Sequence, residues 1–223
     1  MAYFTKEFNK FFKELTKNNY KEWFHANKKR YEEHVKKPFY AFVADLIEAY
    51  KNEEDISLEV KNAVFRINRD IRFSKDKSPY KNHVGAVISK TGRKDMLYPG
   101  IYVNLEAGNL MIAGGCYQLD KVNLQKIREH IVRHPDKANK ILKGKAFVAK
   151  FGGLHDGEKN KIMPKEFKET VKEIPLIANK QYFYECSYDD ENILQRDDLV
   201  EFIMEHYQAG KEWNRFLIEA MNE

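Results

Sequence analysis

Apolar residues recur every three or four positions in the first fifty residues of this chain and every second position in the fifty or so after residue 62. Phe4, Phe8, Phe11, Phe12 and Leu15 mark one buried face of a helix. Asn18-Asn19 breaks that pattern, and Asn19 with Glu22 three residues later predicts a capping box. The helix it opens carries Trp23, Phe24, Tyr31 and Val35. Pro38 has no N–H to donate within a helix, so a third segment is expected to begin there, striped by Phe39, Phe42, Val43, Leu46 and Ile47.

From residue 62 to 118 the period is that of strands. Phe65, Ile67, Ile71 and Phe73 alternate up to a turn at Ser78-Pro79. Val84, Ala86 and Ile88 follow, then Ile101, Val103 and Leu105, with Ala107-Gly108 closing a hairpin onto Leu110, Ile112 and Gly114. Links this short require antiparallel neighbours. Beyond residue 120, Leu124, Ile127, Ile131 and Val132 predict a helix stopped by Pro135. Residues 150 to 165 read as a long glycine-containing loop, and Tyr182, Tyr184 and Cys186 as a strand. Leu199 to Ala220 reads as a closing helix bent at Gly210. Helices, a β meander and more helices make an α+β pattern, expected to form a single domain over residues 1–223.

The chain has 223 residues, 43% of them hydrophobic, enough to bury a real core. No apolar run approaches 18 residues, so no membrane span is expected. The opening Met-Ala-Tyr-Phe-Thr-Lys-Glu lacks the apolar stretch and cleavage site of a signal peptide. The two cysteines, Cys116 and Cys186, do not make a disulfide framework, and the expected location is the cytoplasm.

Charge is concentrated in one place. Residues 65–94 hold nine Lys or Arg against Asp70 and Asp76, a local +7 in a chain whose net charge is +5, so the remainder sums to −2. Six of the cations, Arg66, Arg69, Arg72, Lys75, Lys77 and Lys81, fall within 16 residues. A basic cluster on a folded frame points to an anionic partner. On a strand, Arg66, Asp70 and Arg72 would share one face, with the two guanidiniums forking around the carboxylate in a geometry suited to phosphate. Arg69 would stand alone on the apolar face, as a buried ion pair or a pocket floor. Any one of these arginines, taken alone, reads better as part of a structural Arg–Asp network that locks a helix layer onto the sheet. The cluster exceeds what its two acids neutralise and reads as a ligand site. Asp76-Lys77-Ser78-Pro79-Tyr80-Lys81 is a turn that either wraps a phosphate, with Tyr80 as a stacking surface, or is a solvated turn with Tyr80 anchored in the core.

The expected ligand-binding residues are therefore Arg66, Arg69, Asp70, Arg72, Lys77, Tyr80 and Lys81, and the expected partner is a small, phosphorylated anion. The alternative is a non-catalytic interaction domain that docks nucleic acid or an acidic protein. No catalytic residue is assigned. Gly114-Gly115 reads as a bulge or close packing, and Cys116 as a small buried hydrophobe. His130 and His134 stand four apart on a helix, a spacing that serves metals, but no third ligand is evident nearby and no HExxH pattern occurs. No metal and no cofactor are expected. The P-loop, dinucleotide fingerprint, nucleophile elbow and CxxC patterns do not occur.

The run Arg66-x-x-Arg69-Asp70-x-Arg72-Phe73-x-x-Asp76-Lys77-x-x-Tyr80 resembles the signature of a bacterial family designated domain of unknown function 2461. Trp23-Phe24-x-x-Asn27-Lys28-x-x-Tyr31 with Pro38-Phe39 resembles that family's N-terminal helices. Pro79-Tyr80-Lys81-Asn82, Pro99-Gly100-x-Tyr102 and Gly114-Gly115 resemble its sheet region, and Leu124-x-x-x-Arg128 the helix beyond. The resemblance is close from residue 4 to about 132 and looser afterwards. It implies a soluble bacterial protein and carries no activity with it.

Overall fold

In the computed structural model of the protein, which describes residues 2–223, helices occupy both ends of the chain and a four-stranded antiparallel sheet lies between them in sequence. The fold is α+β. The strands β1 (His83–Ile88), β2 (Ile101–Glu106), β3 (Asn109–Cys116) and β4 (Tyr182–Asp189) hydrogen-bond in the order β1-β2-β3-β4. The residues group into two compact units. One holds the chain up to Lys94 with Tyr102–Ile112 and Ser187–Met204; the other holds Asp95–Ile101, Ala113–Cys186 and Glu205–Glu223.

In the first unit, α1 (Lys6–Lys17) starts where Thr5 accepts a hydrogen bond from the Glu7 N–H. It buries Phe8, Phe11, Phe12 and Leu15 on one side. The rings pack edge-on, Phe4 to Phe8 at 4.9 Å and Phe8 to Phe12 at 5.0 Å, the geometry that the ring quadrupole favours. α2 (Lys21–Ala26) and α3 (Lys28–Tyr31) follow, and Arg30 of α3 binds Glu14 of α1 at 2.5 Å. The expected capping box does not form. Tyr20, not Asn19, stands at the start of α2, and it makes no side-chain cap.

Between α3 and α4 (Lys37–Lys51) the helix opens into a π turn over Glu32–Lys36, where the Lys37 N–H reaches the Glu32 carbonyl five residues back. Pro38 explains why. It withholds the N–H that an α-helix would direct to the His34 carbonyl, and its ring would clash there. The wider turn accommodates it, so the chain continues as a helix instead of restarting. The short α5 (Val60–Ala63) then leads into the basic run.

That run is not the continuous strand that its alternation predicts. Residues 65–81 form an irregular ribbon with isolated bridges between Val64 and Ala86 and between Asn68 and Tyr80. Its backbone bonds are few: Phe65 N–H to Gly85 at 3.0 Å, Lys81 N–H to Ile67 at 2.8 Å and Arg69 N–H to Pro79 at 2.9 Å. Phe73, counted in the apolar alternation, is 96% exposed.

In the second unit, α6 (Lys121–Arg133) is capped by the Asp120 side chain on the Asn123 N–H. Pro135 does not simply end it; Pro135 opens α7 (Pro135–Leu142), a position where its missing N–H costs nothing. α8 (Lys145–Phe151) ends on Gly152 at φ +71°, a left-handed C-cap that favours glycine. A glycine-containing loop and the one-turn α9 (Thr170–Glu173) precede β4. α10 (Leu199–Asn222) runs unbroken through Gly210. A Cβ there would lie 2.0 Å from the Tyr184 hydroxyl, so the glycine makes room for a buried tyrosine instead of a bend. Gly114 does the same from β3, where a Cβ would come within 2.3 Å of that hydroxyl. Among the described residues, no helix is long and apolar enough to cross a membrane.

Candidate functional site

The helical face and the basic ribbon of the first unit line a half-open cavity of about 320 Å³, within the range of small-ligand sites. Lys28, Tyr31, Glu32 and Lys36 line it from α3 and the π turn, and Val64 to Asn68 from the ribbon. The wider π turn belongs to this wall, and such turns recur at functional sites. Three cations, Lys28, Lys36 and Arg66, face one acid, Glu32, so the lining carries a net +2. Glu32 is engaged with Lys36 at 3.0 Å. Lys28 and the Arg66 guanidinium have no hydrogen-bond or ion-pair partner among the described residues.

Two contacts position the ribbon. The Asn19 side chain behaves as a piece of strand: its amide donates to the Tyr80 carbonyl at 2.9 Å and its oxygen accepts the Tyr80 N–H at 3.1 Å. The Tyr80 ring, 5% exposed, stacks on Phe24 at 3.9 Å and 16°. Tyr80 is thus an anchor, with one ring face taken by Phe24. Beside it, the half-buried Lys81 holds its ammonium 5.3 Å from the centre of the Phe65 ring. Burial lowers its pKa first, and the neighbouring Arg66 charge lowers it further. Arg66 and Lys81 are thus adjacent cations with no acid paired to either.

The middle of the run is arranged differently. Asp70 receives Arg72 through two bonds, Nε at 3.0 Å and Nη2 at 2.7 Å. The Arg72 side chain, then its backbone N–H, hold the Asp70 carboxyl down at about 2. Arg69 pairs with Asp76 and donates to the Ser78 carbonyl at 3.1 Å. Asp76 also accepts the Ser78 hydroxyl at 2.7 Å and the Ser78 N–H at 2.9 Å, and these two bonds, ahead of Arg69, lower its pKa to about 2. Lys77 caps the Ile71 carbonyl at 3.0 Å. The structure therefore brings Arg66 and Lys81 together and gives Arg69 and Arg72 to separate acids. Arg66 alone of the seven expected residues lines the cavity.

Cys116 is fully buried with its Sγ donating to the Leu97 carbonyl at 3.3 Å, and burial pushes its thiol pKa up, which suits a packing role. Sequence reasoning missed Lys28, Glu32 and Lys36 as cavity residues and Asn19 as the latch. The motif Trp23-x-x-x-x-Lys28-x-x-Tyr31 was visible, but nothing in it says which wall it faces. No curated protein and no solved structure matches the chain significantly. The family model described as Conserved hypothetical protein (DUF2461) matches residues 7–216, nearly the whole length, and the chain belongs to that family.

Proposed function

We propose that this protein binds a small phosphorylated anion in the cavity between the π turn and the ribbon, with Arg66 as the principal contact, Lys28 on the same lining, and Lys81, beside Arg66 but outside the lining, adding to the positive charge. The observation that carries this reading is the adjacency of Arg66 and Lys81 with no acid hydrogen-bonded or ion-paired to either, the acid that feels Arg66, Asp70, being held by Arg72. Arg66 is exposed and Lys81 half-buried; side by side the two cations repel, and an anion bound at Arg66 relieves that repulsion through charge-assisted hydrogen bonds to the guanidinium. The guanidinium offers a planar fork to a phosphate, and the aromatic residues Tyr31 and Phe65 offer apolar wall to whatever the phosphate is attached to.

A second reading has its own support. The loop from Asp70 to Lys77 projects Phe73, almost wholly exposed, among Arg72, Lys75 and Lys77. An exposed ring among cations is a platform for an unpaired base. Titration with inorganic pyrophosphate and with short single-stranded DNA and RNA, each at two salt concentrations, tells the readings apart. The cavity reading expects pyrophosphate binding that Arg66→Gln removes and Phe73→Ala leaves alone. Salt-steep oligonucleotide binding that Phe73→Ala removes, with no pyrophosphate binding, replaces it by the second reading.

A further inference from the structure

We infer that His130, His134 and Glu223 form a binding site for a divalent transition-metal cation of the zinc type, separate from the anion cavity. One ring nitrogen of each histidine and a carboxylate oxygen of Glu223 all lie within 4.8 Å of one another. Tetrahedral zinc with ligand bonds near 2.1 Å needs donor separations of about 3.4 Å. His134 and Glu223 are exposed at the surface, so side-chain rotation closes the difference. The two histidines sit four apart at the end of α6 with ring centroids 4.6 Å apart, and Glu223 arrives from the end of α10.

The stronger indication is the surroundings of His130, which is 3% exposed. Glu223 Oε1 lies 2.9 Å from its Nδ1, and Glu219 Oε2 lies 3.8 Å from its Nε2. Nε2 is buried and has no hydrogen-bond partner among the described residues. A neutral imidazole has one N–H for two carboxylates, so one ring nitrogen must turn a lone pair toward an acid. A cation held on that lone pair removes the conflict, and the remaining N–H then serves the other carboxylate, as outer-shell carboxylates do for metal-bound histidines. Arg133 bonds Glu223, and Lys137 bonds Glu219 at 2.6 Å, orienting both acids. A purely structural link from His130 to Glu223 would also account for the short Nδ1 contact. It would leave His134 without a role, since the His134 ring makes no hydrogen bond or ion pair of its own among the described residues.

The test is calorimetric titration of the full chain with zinc, paired with the visible absorption spectrum of the cobalt(II)-loaded protein. His130 is buried against Phe216, at 4.6 Å between rings, so its removal would confound folding with binding. The variants are therefore His134→Ala and Glu223→Gln, with His155→Ala as a control. The inference expects one cation per chain, a ligand-field cobalt spectrum, and affinity reduced about tenfold or more in each of the two variants but unchanged in the control. Absence of zinc and cobalt binding, or binding that both variants leave intact, overturns it and leaves His130 as a hydrogen-bonded link between α6 and Glu223 after α10.

Discussion

Between Phe65 and Asn68 the ribbon is bonded to β1 and to its own return segment, and its cation has no acid bonded to it. Between Arg69 and Lys77 the chain projects outward, and Arg69 and Arg72 each hold an acid of their own. Both stretches belong to one basic run and look alike in composition. The difference shows that a local charge excess counts cations without saying which are free. In the projecting loop, Asp70 and Asp76 neutralise the two arginines and shape the turn, and Lys77 caps the Ile71 carbonyl, which leaves Lys75 solvated. In the wall, no acid is bonded to Arg66 or Lys81; Asp70 feels the Arg66 charge through space but is already held by Arg72.

If the wall is held by its anchors, breaking them should cost far more than breaking the loop. Phe24→Ala removes the surface on which Tyr80 stacks and opens space beneath it. It should destabilise the protein by about 3–5 kcal/mol, measured by urea unfolding, and a loss under about 1 kcal/mol would show the anchor to be incidental. Asn19→Ala leaves the Tyr80 N–H and carbonyl without their shared partner and should cost about 1–3 kcal/mol. It should also raise amide exchange at Tyr80 and Lys81 selectively; uniform exchange would mean that the ribbon is held by other means. Arg69→Ala sits at the lower end. Its carboxylate partner is 61% exposed, so the loss is mainly that of the Ser78 carbonyl bond, about 1 kcal/mol. A cost as large as that of Phe24→Ala would make the loop a buried network, as the apolar-face position of Arg69 in a strand implied.

Acid sharpens the same contrast. Asp70 and Asp76 have folded pKa values of about 2 against an ordinary value of 3.8. Their bonds thus add stability that is complete above the ordinary value and lost as pH falls toward 2. Carboxyl chemical shifts should titrate with midpoints near 2 for both residues, and loop resonances should move with them before those of Phe65 to Asn68. Midpoints at the ordinary value would mean that the loop's bonds are not populated in solution.

Much of the fold was legible because its signals are local. The period-two runs around Val84, Val103 and Ile112 became β1, β2 and β3, and the Phe4 to Leu15 spacing became α1. The ribbon misled because Phe65, Ile67, Ile71 and Phe73 alternate like a strand, while Asp76 and Ser78 supply turn bonds that compete with a ladder. Asn19 fitted a helix cap in sequence, and only tertiary packing showed that its amide serves Tyr80, sixty-one residues away. The basic run was visible as a candidate site. The cavity was not, since its other wall comes from Lys28 to Lys36, and the π turn that shapes it answers a proline whose effect on a helix is usually to stop it.

The most direct test of the central claim compares Arg66→Gln with Arg72→Gln in a calorimetric titration with inorganic pyrophosphate at one fixed, low salt concentration. The two substitutions remove the same charge, six residues apart in the same run. If charge availability decides binding, Arg66→Gln abolishes the heat of binding while Arg72→Gln leaves affinity within about threefold of the parent, the size of a screened surface effect. Equal losses from both substitutions would contradict the account and make the run a diffuse electrostatic patch.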